Sequence, residues 1–570
     1  MEQLVAAPAR ARTIPQLWRR ALEQERPWPA YLVEHGDHRH EVSWAEAGAR
    51  VEALANGLLA LGVRKGDAFA ILGSTTLEWS LFDFALACVG AVPAGIYMNS
   101  SPREARYVAE HSEAIGALVE DEEQRAKLEG LELRHVLTYA DLEELEASGR
   151  EFVAGNPRAL DEAIAAIGED DLFTYIYTSG TTGPPKACMI THRNYYGMVA
   201  VVDDLPEFVV PGDTMLLYLP LAHNFGRLMH LAGPYIGFTI AHLADPLRAA
   251  DALKQVRPTV FPSVPRVYEK VHSAVVSQIE TAVGTRRRLA DWALQIGYRV
   301  SRLRQEGESV PAVLALQHRI ADRLLFSKVK ARLGGRLRVG ISGGAPLAKE
   351  IAEFFHAIDI LILEGYGLTE CTSAATVNRA NAYRFGSVGP ALPGFELRLA
   401  EDGELLIRSE TIFAGYFKDP EATREVLTED GWLRSGDVAT IDEDGFVTIT
   451  DRKKDILVTA GGKNVAPQNI ENLLKTSPLV SQALVVGDRR PYVAALITLD
   501  PDVDRDGAEA RVQEVVDRAN AELSRFEQVK RFRILPRDFS AAEGEITPTL
   551  KLKRRIVEQH FAREIEDLYG

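Results

Sequence analysis

Short apolar runs that stop at glycine, proline or a hydroxyl residue recur along this chain, and between them lie stretches whose apolar positions repeat every three or four residues. The first kind predicts buried strands, the second predicts helices packed against them, and their alternation over residues 13 to about 170 predicts a mainly parallel sheet. Ser43-Trp-Ala-Glu46 has the form of a capping box, opening a helix that carries Val51, Leu54, Leu58 and Leu59, and a short strand follows at 68–72. The most apolar window, 79–98, is broken by Asp83 and Pro93, which fits a buried helix running into a strand and not a membrane span. Residues 120–170 are charged and irregular and predict surface helices.

Further along, 173–177 alternates like a strand, 215–223 is an apolar run ending at His223, and 258–268 is a strand breaking at prolines. Residues 285 to about 335 are strongly helical, with Leu289, Trp292, Ala293, Ile296, Val300 and Leu303 at helical spacing and Arg286, Arg287, Arg288, Arg299, Arg302 and Arg304 around them. Two readings of that segment stand side by side. A solvated helical hairpin folded on the body is favoured, and a peripheral contact with an anionic membrane surface is the alternative. Strands at 337–341 and 359–363 come next, then short strands and turns from 386 to 450, which read as an antiparallel sheet or small barrel. A hairpin at 482–499, a helix near 507–525, a strand at 529–535 and a terminal helix with Ile556, Val557, Phe561, Ile565 and Leu568 on its apolar side close the chain. The predicted fold class is α/β: a large N-terminal domain of parallel-type sheets with helices plus a small antiparallel barrel, followed by a small α+β C-terminal domain.

Chemistry enters at the strand ends. The run 173–177 opens into Thr178-Ser179-Gly180-Thr181-Thr182-Gly183-Pro-Pro-Lys186, where the glycines let backbone amides turn inward, the hydroxyls add donors and Lys186 adds a positive charge. This suits phosphate, although no glycine precedes the lysine and Ala187 takes the hydroxyl position of the usual nucleotide P-loop. A plain Gly/Pro turn is the competing reading. Two glycine-bearing strand ends, Ser342-Gly343-Gly344-Ala345-Pro346 and Glu364-Gly365-Tyr366-Gly367, form a slot narrow enough for a flat base, with Tyr366 as a stacking face. Glu370, beside Thr369, offers the hard oxygen that Mg²⁺ prefers, and Thr181 joins it as a candidate metal ligand. Asp437 is either a turn former or an acceptor for ribose hydroxyls.

Composition narrows the function. With 65 basic against 81 acidic residues the formal charge is −16, which excludes a general nucleic-acid binder and requires positive charge for a nucleotide to be concentrated locally. Three scattered cysteines do not make a disulfide framework or a zinc site, so a reducing cytoplasm is expected, with the inner membrane surface as a peripheral location under the alternative above. The first ten residues lack the apolar core of a signal peptide.

The ordered string 175–186, together with the motifs at 342–347, 364–370, 431–437 and 547–555, resembles the adenylate-forming superfamily and most closely its long-chain fatty acid CoA ligases. That resemblance implies ATP, Mg²⁺ and coenzyme A, with a fatty acid as the substrate activated to acyl-AMP and passed to the thiol. It implies Tyr366 on adenine, Thr369 on the α-phosphate, Glu370 on Mg²⁺, Asp437 and Arg452 on ribose, and His223 lining the carboxylate site. It further implies an N-terminal domain over 1–450, a hinge at 451–455 pivoting on Lys454 and a mobile C-terminal domain over 456–570. In that scheme Gly461 and Gly462 belong to a loop that enters after rotation, and Lys551 is the catalytic lysine, with Arg554 following. A ligase that loads a carrier protein, and a non-catalytic acyl- or nucleotide-binding scaffold, are the rival readings.

Overall fold

The computed structural model describes residues 11–35, 38–178, 184–205, 208–501, 503–540, 543–547 and 552–570. The chain packs as two compact units, one of Met1–Val260 with Leu368–Ala374 and Arg408–Thr428, the other of Phe261–Gly367 with Ala375–Ile407 and Glu429–Gly570.

The first unit is built on a six-stranded sheet in the order His135–Thr138, Ala114–Val119, Ala68–Leu72, Val92–Ile96, Leu172–Thr178, Lys186–Thr191. Its pairs are parallel except the last, which is antiparallel. The parallel strands are short and largely apolar because helices cover them, among them Leu77–Val89, every residue of which except Glu78 is buried. Ser43 caps the helix Trp44–Ala60, its Oγ accepting from the Glu46 amide at 3.1 Å. That helix packs so tightly on Leu142–Gly155 that a Cβ at Gly149 would sit 1.9 Å from the Ala53 carbonyl oxygen. A second sheet of this unit runs Thr214–Leu217, Thr239–His242, Tyr31–His35, His38–Val42, with only the last pair antiparallel.

In the second unit Val339–Ser342 lies parallel to Leu361–Tyr366, which pairs antiparallel with Thr376–Val377. The long helical region resolves into Pro265–Glu280, Thr285–Gln305, Ala312–Ala321 and Ser327–Arg332. The apolar side of Thr285–Gln305 faces inward: Ile296 and Val300 are buried with Leu314, and Trp292 and Leu303 pack against them. This is the folded hairpin, with Leu289 and Tyr298 of the same helix left exposed. The short strands form a four-stranded sheet, Glu396–Leu399, Glu404–Arg408, Leu433–Ile441, Val447–Arg452. Near the C-terminus a three-stranded sheet combines the hairpin Val480–Val486 and Val493–Leu499 with the parallel strand Val529–Ile534. Helices Pro467–Lys475 and Ala508–Glu522 share its apolar core. Among the described residues no helix is long and apolar enough to cross a membrane.

Candidate active site

The glycine-rich stretch is the tip of a β-hairpin: Leu172–Thr178 and Lys186–Thr191 pair antiparallel with Thr178 opposite Lys186. Ser179, Gly180, Thr181, Thr182 and Gly183 lie outside the described residues, and so does Lys551. What the structure places is the base of the loop and the groups around it. The outer edge of Lys186–Thr191 is paired by a returning segment, with the Met189 amide donating to Gly415 O at 2.9 Å and the Phe417 amide to Ala187 O at 2.9 Å. This return sets the Tyr416 ring under the Lys186 ammonium, 5.0 Å from its centroid, while Asp419 Oδ2 lies 3.6 Å from Lys186 Nζ.

Tyr416 also reaches the acidic residue of the motif, its hydroxyl donating to Glu370 Oε1 at 2.6 Å. Burial and the Glu370 carboxylate push the phenol far above its ordinary range, so it stays protonated and a donor. Glu370 sits in the short turn Thr369–Cys371, tied down by the Phe413 amide, which donates to Glu370 O at 2.9 Å. Lys186, Glu370, Tyr416 and Asp419 thus form one cluster of the first unit: a cation, two carboxylates and a phenol beside the loop expected to take phosphate.

His223 is not at a strand end as its apolar run suggests. The strand stops at Leu217, and His223 is the N-cap of the helix Asn224–Ala232, where its Nδ1 accepts from the Phe225 amide at 3.2 Å. The break follows from Pro220, which cannot continue a ladder, and from an imidazole able to cap. Asn224 links this turn to the motif by donating to Leu368 O at 3.3 Å. One turn on, Arg227 is wholly buried and ion-paired with Asp83, between the rings of Trp79 at 4.9 Å and Phe173 at 5.1 Å. That pair pins the helix bearing His223.

In the second unit the two glycine-bearing segments are joined through Glu364, whose Oε1 accepts from the Leu347 amide at 2.9 Å. Burial pushes the Glu364 carboxyl up to about 8, so at neutral pH it is mainly protonated and buried without charge. Gly343 donates from its amide to Ser263 O at 3.3 Å, and Gly344 takes a φ of +84° in the turn before Ala345 and Pro346. Gly365 lies against the return strand, where a Cβ would be 3.2 Å from Thr376 O. Tyr366 ends this strand, and Gly367 follows it in the chain. The Tyr366 hydroxyl donates to Asp437 Oδ2 at 2.5 Å, and Asp437 Oδ1 lies 3.5 Å from Arg452 Nε on the neighbouring strand, where the two residues are register partners. Tyr366, Asp437 and Arg452, assigned to adenine and ribose separately, are therefore in contact.

Beyond Arg452 the charge run is a turn. Lys453 pairs with Asp402 and Glu404 at 2.5 and 3.2 Å, Lys454 is exposed, and Asp451 is buried, accepting from the Gln468 amide at 3.2 Å. Gly461 and Gly462 form the exposed tip of a small hairpin whose strands are Leu457–Val458 and Asn464–Val465. Arg554 is committed to packing, donating to Val485 O and to Glu471 Oε1, each at 2.8 Å.

Mg²⁺ suits the first cluster by its donor set, a carboxylate and neighbouring hydroxyls. Among the described residues no group of three or more His, Cys, Asp or Glu could hold a metal ion.

Known proteins match the chain over most of its length. A model described as AMP-binding enzyme matches residues 18–417, and one described as AMP-binding enzyme C-terminal domain matches 454–570. The chain is similar to the long-chain-fatty-acid--CoA ligase FadD15 of Mycobacterium tuberculosis, 38% identical with 96% of each chain covered. It is also similar to the human long-chain-fatty-acid--CoA ligase ACSBG2, 30% identical over 98% of this chain and 92% of that one. Among solved structures, the adenylation domain of a carboxylate reductase from Mycobacterium chelonae superposes with a TM-score of 0.78 at 25% identity, covering 99% of this chain and 92% of that one. An anthranilate CoA ligase in complex with anthranoyl-AMP shares the fold, with a TM-score of 0.75 at 21% identity, covering 96% and 97%. Matches of this length carry the conclusion: the chain belongs to the AMP-binding enzyme family.

Proposed function

We propose that this protein is an AMP-forming long-chain fatty acid CoA ligase. The carrying observation is its 38% identity, over 96% of both chains, to a long-chain-fatty-acid--CoA ligase. In the first step a carboxylate oxygen of the fatty acid forms a bond to the α-phosphorus of ATP, the bond from that phosphorus to the bridging oxygen breaks, and pyrophosphate leaves. Two anions must meet, so catalysis rests on positioning and charge neutralisation. Lys186 and the amides and hydroxyls of the 178–183 loop take phosphate. Tyr366 stacks on adenine, Asp437 and Arg452 take the ribose, Gly343 to Pro346 and Glu364 to Gly367 wall the base, and Thr369 contacts the α-phosphate. His223 lines the carboxylate's approach. Bound Mg²⁺, held by Glu370 with Thr181, supplies further neutralisation. Lys551 acts in this step only.

In the second step the sulfur of CoA attacks the acyl carbonyl carbon, the bond to AMP breaks, and the thioester forms. We assign the change between steps to a hinge at 451–455 pivoting on Lys454, between a domain of 1–450 and one of 456–570, with the Gly461–Gly462 tip entering for the thiol. The protein works in the cytoplasm in this proposal.

Mass spectrometry of products formed from MgATP, CoA and carboxylic acids of graded chain length tests it. AMP, pyrophosphate and long-chain acyl-CoA are expected. Accumulation of acyl-AMP that CoA never discharges would favour carrier-protein loading, and no turnover of any acid would favour a binding scaffold.

A further inference from the structure

The chain from Arg537 to His560 is gathered on one buried acid. Glu545 is wholly buried, and Arg537 grips its carboxylate with both terminal nitrogens, Nη1 to Oε2 at 2.6 Å and Nη2 to Oε1 at 2.7 Å. The Ser540 amide donates to Oε2 at 3.0 Å, and His560 Nδ1 lies 3.0 Å from Oε1, where an ionised carboxylate can only accept. Burial pushes this carboxyl up, but the hydrogen bonds from Arg537, His560 and Ser540 outweigh it and hold the group at about 2, so it is charged at neutral pH. The main chain of the same residue is also engaged, its amide donating to Ser540 O at 2.9 Å and its carbonyl accepting from the Lys553 amide at 2.7 Å. One residue on, Ile546 and Leu552 pair across an antiparallel bridge and pack on the apolar cluster that includes Leu484, Leu496, Phe539 and Phe561. Glu545 therefore ties together the loop at 537–540, both stems of the chain between 546 and 552, and the helix Arg554–His560 that follows. Leu552 is bonded directly to Lys551, so the fixed stem is one residue from the lysine assigned to adenylate formation.

We propose that Glu545 is a positioning residue for the adenylation step, holding the stems from which Lys551 extends, with Arg537 and His560 fixing its carboxylate in turn. This rests on the adenylation role given to Lys551 and adds the residues that act through it. A buried charge is a poor route to stability alone, because desolvation offsets most of the attraction, whereas a bidentate pair sets one geometry for the segments it joins. A lysine side chain is long and loses much rotamer freedom when it is placed, so its aim depends on a backbone held at one position. Neither carboxylate oxygen is left over for substrate, since Oε1 takes Arg537 and His560 while Oε2 takes Arg537 and Ser540. Glu545 thus acts through the stems and does not touch the reacting atoms.

Half-reaction kinetics on the full-length protein test this. Glu545→Gln keeps the shape and one acceptor but loses the charge. It is expected to lower kcat for adenylation, read by pyrophosphate exchange, by about a hundredfold, the effect of misplacing a catalytic group by about 1 Å. The KM for ATP and thioester formation from supplied acyl-AMP should stay near wild type. In a Lys551→Ala background the same substitution should cost nothing further, because both changes remove one interaction. Full additive loss in that background would overturn the proposal, and so would adenylation at the wild-type rate or equal loss of both half-reactions. Adenylation untouched by Lys551→Ala alone would strike the lysine assignment, and the proposal with it, before any Glu545 variant is made. Should Glu545→Gln not fold, His560→Ala, at an exposed position, removes one of the four contacts and carries the same test with a several-fold loss.

Discussion

The Tyr416 hydroxyl donates to Glu370 Oε1 at 2.6 Å, while the same ring lies beneath the Lys186 ammonium. One side chain thus serves both the acid assigned to Mg²⁺ and the cation assigned to phosphate. Tyr416→Phe keeps the ring under Lys186 and removes only the hydrogen bond to the carboxylate, so adenylation should fall by about tenfold, the worth of one charge-assisted hydrogen bond. Tyr416→Ala should lose more. Equal rates for the two variants would show that the hydroxyl alone matters.

Glu370→Gln keeps size and polarity but removes the charge. It is expected to lower the adenylation rate and raise the Mg²⁺ requirement, with ATP binding and melting temperature largely retained. If Glu370 instead serves only Tyr416 and the fold, the variant melts earlier and keeps the wild-type Mg²⁺ titration.

Glu364 makes stability depend on pH. Its carboxyl is raised by burial to about 8 in the folded state, well above the ordinary carboxylate range it has unfolded, so the folded protein binds the proton more tightly. Its contribution is complete below the unfolded value, declines as pH rises, and is lost once pH passes about 8. Glu364→Gln has no proton to lose and keeps an oxygen to accept from the Leu347 amide. Denaturant melts at several pH values should show the variant gaining on the wild type from about pH 5 to 8 and no further above that. A constant gap would mean that Glu364 does not titrate in this window.

The two half-reactions separate the hinge from the lysine. Lys551→Ala should cripple adenylate formation and spare thioester formation from supplied acyl-AMP, whereas Lys454→Pro, which restricts rotation at the pivot, should do the reverse. Parallel loss of both steps in each variant would sink the hinge assignment.

How far the sequence was legible depends on distance along the chain. Strands at 68–72 and near 173–177, the hairpin around 482–499 and the terminal apolar side were visible because they are set by local periodicity and turn residues. His135–Thr138 was not, since a four-residue strand between charged segments has too little pattern to stand out. Asp83 looked like an interruption of an apolar helix, but it is the buried partner of Arg227, which no local window contains. Tyr416 carried no chemical signal at all. Its role comes from main-chain pairing of its segment with the edge strand at 186–191, a relation that only the folded sheet creates. Motif residues were found where the chemistry is written in consecutive positions, and were missed where it depends on one segment returning to another.

That return has a cost in time. The edge strand Lys186–Thr191 is made early, yet the segment that covers its outer side begins only at Ala414, so for much of synthesis the nascent chain carries an unpaired strand edge ready to join another chain. Met189 records the delay, because its amide and its carbonyl are spent on Gly415 and Ala414. In pulse-labelled refolding, protection of the Met189 amide should therefore lag that of Ile176 and Phe173 in the neighbouring strand. Simultaneous protection would mean that the distant segment docks as fast as the hairpin itself closes. A chaperone that holds this edge until residue 417 emerges would raise the yield of folded protein without touching its final stability.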